Sequence, residues 1–271
     1  MEITVAHTPD ADDAFMFYAM TAGKIEMPFK VVHVIEDIET LNRMAFDGGL
    51  DVTAISVHAY AYLHDKYRIL SAGASVGDGY GPIVVAKNDV EVEGRRIAVP
   101  GKYTTAYLLL KLAVDEFEPV EMRFDEIIPA VKRGDVDAGL LIHEGQITYE
   151  RHGLTKVLDL WEWWYDKTRL PLPLGVNAIK RSIPEDMQKA FLKAMRESID
   201  YALNNADEAV EYAMKYSRGL DKETTKRFAM MYVNEYTYEM PDSVVKGIDA
   251  LLTMAEKKGF FEKPPVDILF L

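Results

Sequence analysis

The chain has 271 residues, 49% of them hydrophobic and 28% charged. That length exceeds the ~100–200 residues of a usual domain, so it makes two lobes or one large domain, and the composition excludes a disordered or collagen-like chain. Forty-four acidic against 31 basic side chains leave a net charge of −13, a field that repels a phosphate backbone or an anionic membrane surface. Without cysteine there is no disulfide framework, thiolate metal site or cysteine nucleophile.

The N-terminal segment Met1–Ala6 enters a strand directly, with no basic region followed by an apolar one, and no apolar run reaches the ~18 residues of a membrane span. The expectation is a cytoplasmic protein, monomer or homodimer, with neither nucleic acid nor membrane as partner. Runs rich in β-branched residues predict strands over 2–7, 29–35, 51–56, 81–87, 95–100, 136–142 and 174–179. Helical patterns alternate with them, which makes the fold class α/β. From Pro184 to Gly259 the periods become helical, with Met187, Phe191, Met195 and Ile199 on one face and Val244, Ile248, Leu251, Leu252 and Ala255 on another. Pro184 and Pro241 suit a first helical turn, and Gly259 a helix stop.

A weak internal echo links residues 2–56 with 95–142. Each half opens with a strand, a polar loop and a helix (EITVAH-TPDADD-AFMFYAM; RRIAVP-GKYT-TAYLLLKLA). Each closes with a glycine, an aspartate and an apolar strand (FDGGLDVTAIS; VKRGDVDAGLLI). Such duplication predicts two α/β lobes whose strand ends face a shared cleft, where ligands of open α/β sheets bind. The chain crosses between lobes within 83–90 and 170–180, giving a discontinuous large lobe (1–87 and 178–271) and a small lobe (88–177). The cleft residues are then His7 to Asp13, Ser56 to His58, Gly101 to Thr105 and His143 to Gln146, with Gly145 in the last turn.

His143 ends an apolar strand at the predicted cleft. An ordinary imidazole titrates near ~6.5, so a neutral ring there accepts a proton at physiological pH; the bland alternative is a hydrogen-bonded loop histidine. Thr104 and Thr105 open a helix after Pro100-Gly101-Lys102-Tyr103, a natural anion seat whose plain alternative is an N-cap, with Lys102 near enough to assist. Asp10, Asp12 and Asp13 read as helix caps rather than metal ligands, since their spacing misses the calcium loop. His58 and His64 do not form an i,i+4 zinc pair, and His152 beside Gly153 reads as a helix-end cation. Trp161, Trp163 and Trp164 pack a helix against a sheet or wall an aromatic ligand. No GxGxxG or P-loop motif is present.

The blocks IHEGQITYERHGL (142–154), PGKYTTAYLLL (100–110) and DLWEWWYDKTRLPLPLG (159–175) together resemble the 1,4-dihydroxy-6-naphthoate synthase family of the futalosine route to menaquinone. The resemblance spans roughly the first 180 residues. It implies a two-lobed, periplasmic-binding-protein-like type II fold with a central cleft, and a carbon–carbon lyase that converts cyclic dehypoxanthinyl futalosine, a small anionic aromatic substrate, without a cofactor or metal. His143 matches the family's proposed base, and Thr104 and Thr105 its paired-threonine substrate contacts. Ala54, Ile55 and Ser56 match a stretch lining the same cleft, and His7 and Gly145 join them as expected substrate contacts. The family's opening motif, Ser-Pro-Cys-Pro-Asn-Asp-Thr-Phe, stands here as Thr8 to Phe15 with Asp10, Asp12 and Asp13. This adds negative charge beside the expected carboxylate. Two alternatives stay open: a non-catalytic binder of a small anion with the same fold, and a chorismate dehydratase-like sister enzyme.

Overall fold

A computed structural model describes residues 1–271. Its first strands are β1 (Glu2–His7), β2 (Lys30–Ile35), β3 (Val52–Ser56), β4 (Tyr67–Leu70), β5 (Ser75–Gly77) and β6 (Ile83–Ala86). The others are β7 (Arg96–Val99), β8 (Glu118–Glu121), β9 (Ala138–Leu141), β10 (Thr155–Asp159), β11 (Leu172–Lys180) and β12 (Ile268–Leu269). One sheet runs β12-β4-β11-β3-β1-β2, with β5 also on β11, and the second runs β10-β6-β9-β7-β8.

The sequence echo is a repeated unit of structure. β1 pairs in parallel with β2 and β3, and β7 pairs in parallel with β8 and β9. Both units then gain an antiparallel neighbour, β11 on β3 and β6 on β9. β3 and β9 are buried along their whole length, which is why neither shows the alternation of a half-exposed strand. Helix starts follow local capping. The Asp37 carboxylate accepts from the Glu39 and Thr40 amides, and Thr104 accepts from the Tyr107 amide.

The division of the chain differs from the expected one at 87/88 and 177/178. Ile83–Ala86 hydrogen-bonds to β9 and β10 in the second sheet, whereas Leu172–Lys180 belongs to the first, on β3, β4 and β5. An apolar β-branched run specifies a strand but not its sheet, because the partners lie more than 50 residues away.

The helical tail comprises Glu185–Asn204, Ala206–Ala213, Lys222–Tyr232 and Asp242–Lys257. Pro184 and Pro241 are the N-caps, one residue ahead of the expected first turn. Phe191, Met195, Val210 and Phe228 bury against Phe15 and Met16 of the first lobe. Val244, Ile248 and Leu251 join a different core that also holds Ile55 from β3 and Val84, Leu108 and Leu140 from the second lobe. That core is continuous between the lobes. No helix is long and apolar enough to cross a membrane.

Candidate active site

A cleft enclosing about 700 Å³, its open mouth included, lies where the strand ends of the two sheets face one another. Six of the eight expected residues line it: Ala54, Ile55, Ser56, Thr104, Thr105 and His143. Ser56 is fixed by the buried Asn42, whose amide donates to the Ser56 hydroxyl at 3.1 Å and accepts from the Ser56 amide at 2.9 Å. At the helix tip both threonine hydroxyls are engaged by protein. Thr104 Oγ1 donates to the Gly101 carbonyl (2.8 Å) and accepts from the Tyr107 amide (3.2 Å). Thr105 Oγ1 donates to the Leu174 carbonyl (2.6 Å) and accepts from the His58 amide (3.2 Å). An anion at this tip therefore meets the open first-turn amides of Thr105 and Ala106 rather than free hydroxyls. Lys102 is exposed, 3.9 Å from Glu121, and does not line the cleft.

Two expected contacts are corrected. His7 is buried away from the cleft, stacked on Phe17 at 4.8 Å with Nε2 3.1 Å from His33 Nδ1; burial lowers its pKa. It is Thr8, the next residue, that reaches the cleft wall. Gly145 lies on the far side of the 143–146 turn, against Leu141, in a separate groove with Phe124, Arg151 and His152. None of the three tryptophans lines the cleft, and Trp164 is wholly buried with its indole N–H donating to the Leu170 carbonyl at 2.8 Å. Trp164 serves the core.

His143 is the site's centre. Its backbone adopts φ of +55°, a left-handed conformation that a non-glycine residue holds only under constraint. Nδ1 stands 2.9 Å from Asp10 Oδ2, a close charge contact rather than a straight hydrogen bond, while Nε2 is buried without a partner. Asp10 in turn receives Arg218 on Oδ1 at 2.6 Å, and Arg218 reaches Glu144 at 2.5 Å. Beside this chain the Tyr232 hydroxyl lies 3.1 Å from the Gln146 amide. Asp10, Arg218 and Tyr232 belong to the first lobe; His143, Glu144 and Gln146 belong to the second.

The aspartates do not act as the expected caps. Asp10 occupies the N-cap of Ala11–Met16 without a side-chain capping bond. Asp13 turns back to accept from the Thr8 amide and hydroxyl at 2.6 and 2.8 Å. Burial alone raises Asp10, but His143 and Arg218 outweigh it and hold the carboxylate well below its ordinary range. Burial, then Asp13 and Asp10, pushes Asp12 well up, and burial pushes Asp13 up to about 6 against the Thr8 hydrogen bonds. Of the three, Asp12 on the cleft wall is thus held neutral, while Asp10 keeps a charge that His143 and Arg218 offset. For His143, burial favours the neutral ring, but Asp10 above all, then Glu144 and Asp12, pushes it up to about 9. That corrects the expectation of a ring already neutral at physiological pH. Three buried polar atoms on the cleft wall have no partner: His143 Nε2, Asp12 Oδ1 and Asn177 Oδ1. They are the wall's free contacts for a polar ligand.

The Menaquinone biosynthesis family model matches residues 3–257. The 1,4-dihydroxy-6-naphthoate synthase of Thermus thermophilus is 40% identical over 97% of this chain and 97% of its own. A solved structure of a protein from Archaeoglobus fulgidus is 68% identical, with a TM-score of 0.95 over 96% of this chain and 98% of that one. The ligand-binding component of an ABC-type import system from Staphylococcus aureus, only 14% identical, shares the fold at a TM-score of 0.74 over 97% and 94% of the two chains. The architecture is thus a two-lobed, periplasmic-binding-protein-like one. With a match that spans nearly its whole length, the chain belongs to the menaquinone-biosynthesis family and is an enzyme of it.

Proposed function

We propose that the protein is a lyase that converts cyclic dehypoxanthinyl futalosine to 1,4-dihydroxy-6-naphthoate, with His143 as general base. The observation that carries this reading is His143 Nε2, a buried and unpartnered nitrogen in the wall of a cleft that also presents a helix N-terminus. The substrate carboxylate seats on the amides at Thr105 and Ala106, where the helix dipole favours an anion. Ala54, Ile55 and Leu174 offer apolar walls to the ring system, and Ser56 is held by Asn42 at the edge of the same surface. His143 takes a proton from the sugar-derived portion, electrons move toward the ring, and the carbon–carbon bond breaks as the ring gains aromaticity. The cleft walls align the scissile bond.

Because Asp10 holds the His143 ring protonated up to about pH 9, the base form is the minor one at neutral pH and grows with alkalinity. The assay is direct. Purified protein is incubated with the cyclic futalosine derivative and the naphthoate is sought by mass spectrometry. Release of the product at catalytic turnover supports the reading; an unchanged substrate at all pH values between 6 and 10 removes it.

A further inference from the structure

We infer that Asp10 is the positioning residue of His143, reaching it across the cleft from the opposite lobe and itself anchored by Arg218. The inference rests on His143 being the base, and it goes beyond that reading by naming what aims and charges the ring.

Three observations converge. The contact is specific: Asp10 Oδ2 meets Nδ1 at 2.9 Å, so the pair turns the ring with Nε2, its unpartnered nitrogen, free for substrate. Asp10 is nearly inaccessible, 1% exposed, and its other oxygen is taken by Arg218, which also donates to the Pro9 carbonyl at 2.9 Å. The Arg218 guanidinium lies 4.6 Å from the centre of the Phe124 ring, and Phe124 meets the His143 ring edge-on at 5.0 Å. The carboxylate, the guanidinium and the two rings form one closed packing unit.

The backbone gives independent support. Only three non-glycine residues have positive φ, and two of them are His143 at +55° and Arg218 at +50°. Conformations of this kind are strained and persist where the surroundings over-determine them, as at functional sites. Here both ends of the Asp10 carboxylate are held by such residues. The acidic groups around the ring are Asp10, Asp12, Asp13 and Glu144, and the cation facing them is Arg218. Asp10 is the one in contact with the ring and, of the charged groups around it, the strongest influence against the burial that favours the neutral ring. Since β1 leads into Asp10 and β9 into His143, the pair exists only with the lobes in the arrangement seen here.

The test uses two variants of the full chain with opposite expected signs. The titration of His143 is followed by NMR of labelled imidazole in wild type, Asp10→Asn and Arg218→Gln, and the acidic limb of kcat/KM against pH is recorded for each. Removing the Asp10 charge lowers the His143 pKa by two units or more and moves the limb down with it, while kcat falls at least tenfold because the ring is no longer aimed. Removing Arg218 leaves His143 as the only cation against Asp10, so the His143 pKa rises. A general loosening of the fold does not produce shifts of opposite sign. An unmoved His143 titration in Asp10→Asn, or shifts of the same sign in both variants, overturns the proposal while leaving the base reading intact. If Asp10→Asn does not fold, an unmoved or lowered value in Arg218→Gln decides against it. Full turnover by His143→Ala removes the base reading instead, and the catalytic purpose of the pair with it.

Discussion

At the residue scale, the environment of His143, the proposed base, ties the pH behaviour of activity to that of stability. With the ring raised to about 9, kcat/KM rises with pH and levels off near 9; a rate already flat from pH 7 contradicts this assignment. Linkage gives the corresponding stability effect. A histidine whose folded pKa lies above its ordinary ~6.5 contributes stability fully present below that value and lost as pH rises through about 9. Asp10, held low, contributes stability present above the ordinary carboxylate range and lost as pH falls below it. Thermal melts of wild type and His143→Gln therefore differ most between about pH 5 and 6.5 and converge above pH 9. Equal differences across that range are the contrary result.

Single residues also show what the sequence conceals. His143 and the threonine tip are legible because each sits one or two positions from a strand end or helix start, where local pattern predicts exposure to a cleft. Asp10 and Arg218 are not, since 208 residues separate them and neither local period nor spacing predicts the contact. His7 departs from its expected place for a related reason. β1 continues one residue too far for its last side chain to reach the cleft, and a ring there finds Phe17 and His33 instead.

At the scale of elements, the loop and helix 101–113 form the proposed anion seat, and their stability is testable apart from activity. Thr104→Ala removes the bond to the Tyr107 amide and destabilises the protein by about 0.5–2 kcal/mol, with a raised KM as the helix tip frays. Gly101 has φ of +151°, and a Cβ built on it falls 2.4 Å from the Glu39 side chain. Gly101→Ala therefore destabilises by about 1–3 kcal/mol, visible in a denaturant midpoint. Glu39 itself accepts from the Tyr103 amide at 3.0 Å, and burial pushes its carboxyl up to about 7. Its folded form prefers the neutral carboxyl, so the stability it contributes is present below about 4.5 and lost as pH rises through 7. Glu39→Gln is accordingly expected to gain thermal stability over wild type at pH 8 and none at pH 4.5. A loss at pH 8 contradicts the argument.

At the scale of the whole molecule, the duplicated unit was legible because each copy repeats a strand, a polar loop, a helix and a glycine–aspartate close. Those signals are local. The sheet membership of Ile83–Ala86 and Leu172–Lys180 depends on partners far along the chain, and so the lobe boundary was displaced. The net charge of −13 sets a second problem for a protein proposed to take an anion. The structure meets it locally, with Arg218 and His143 against Asp10, burial neutralising Asp12, and a helix N-terminus facing the cavity.

The central claim is that the imidazole of His143, aimed into this cleft, removes the proton that starts carbon–carbon cleavage. Single-turnover release of 1,4-dihydroxy-6-naphthoate, followed side by side for wild type and a folded His143→Ala variant at pH 9, tests it most directly. The account predicts product from wild type and a rate lower by roughly 10²–10⁴-fold in the variant. Equal rates in the two proteins, or no product from wild type, would contradict it.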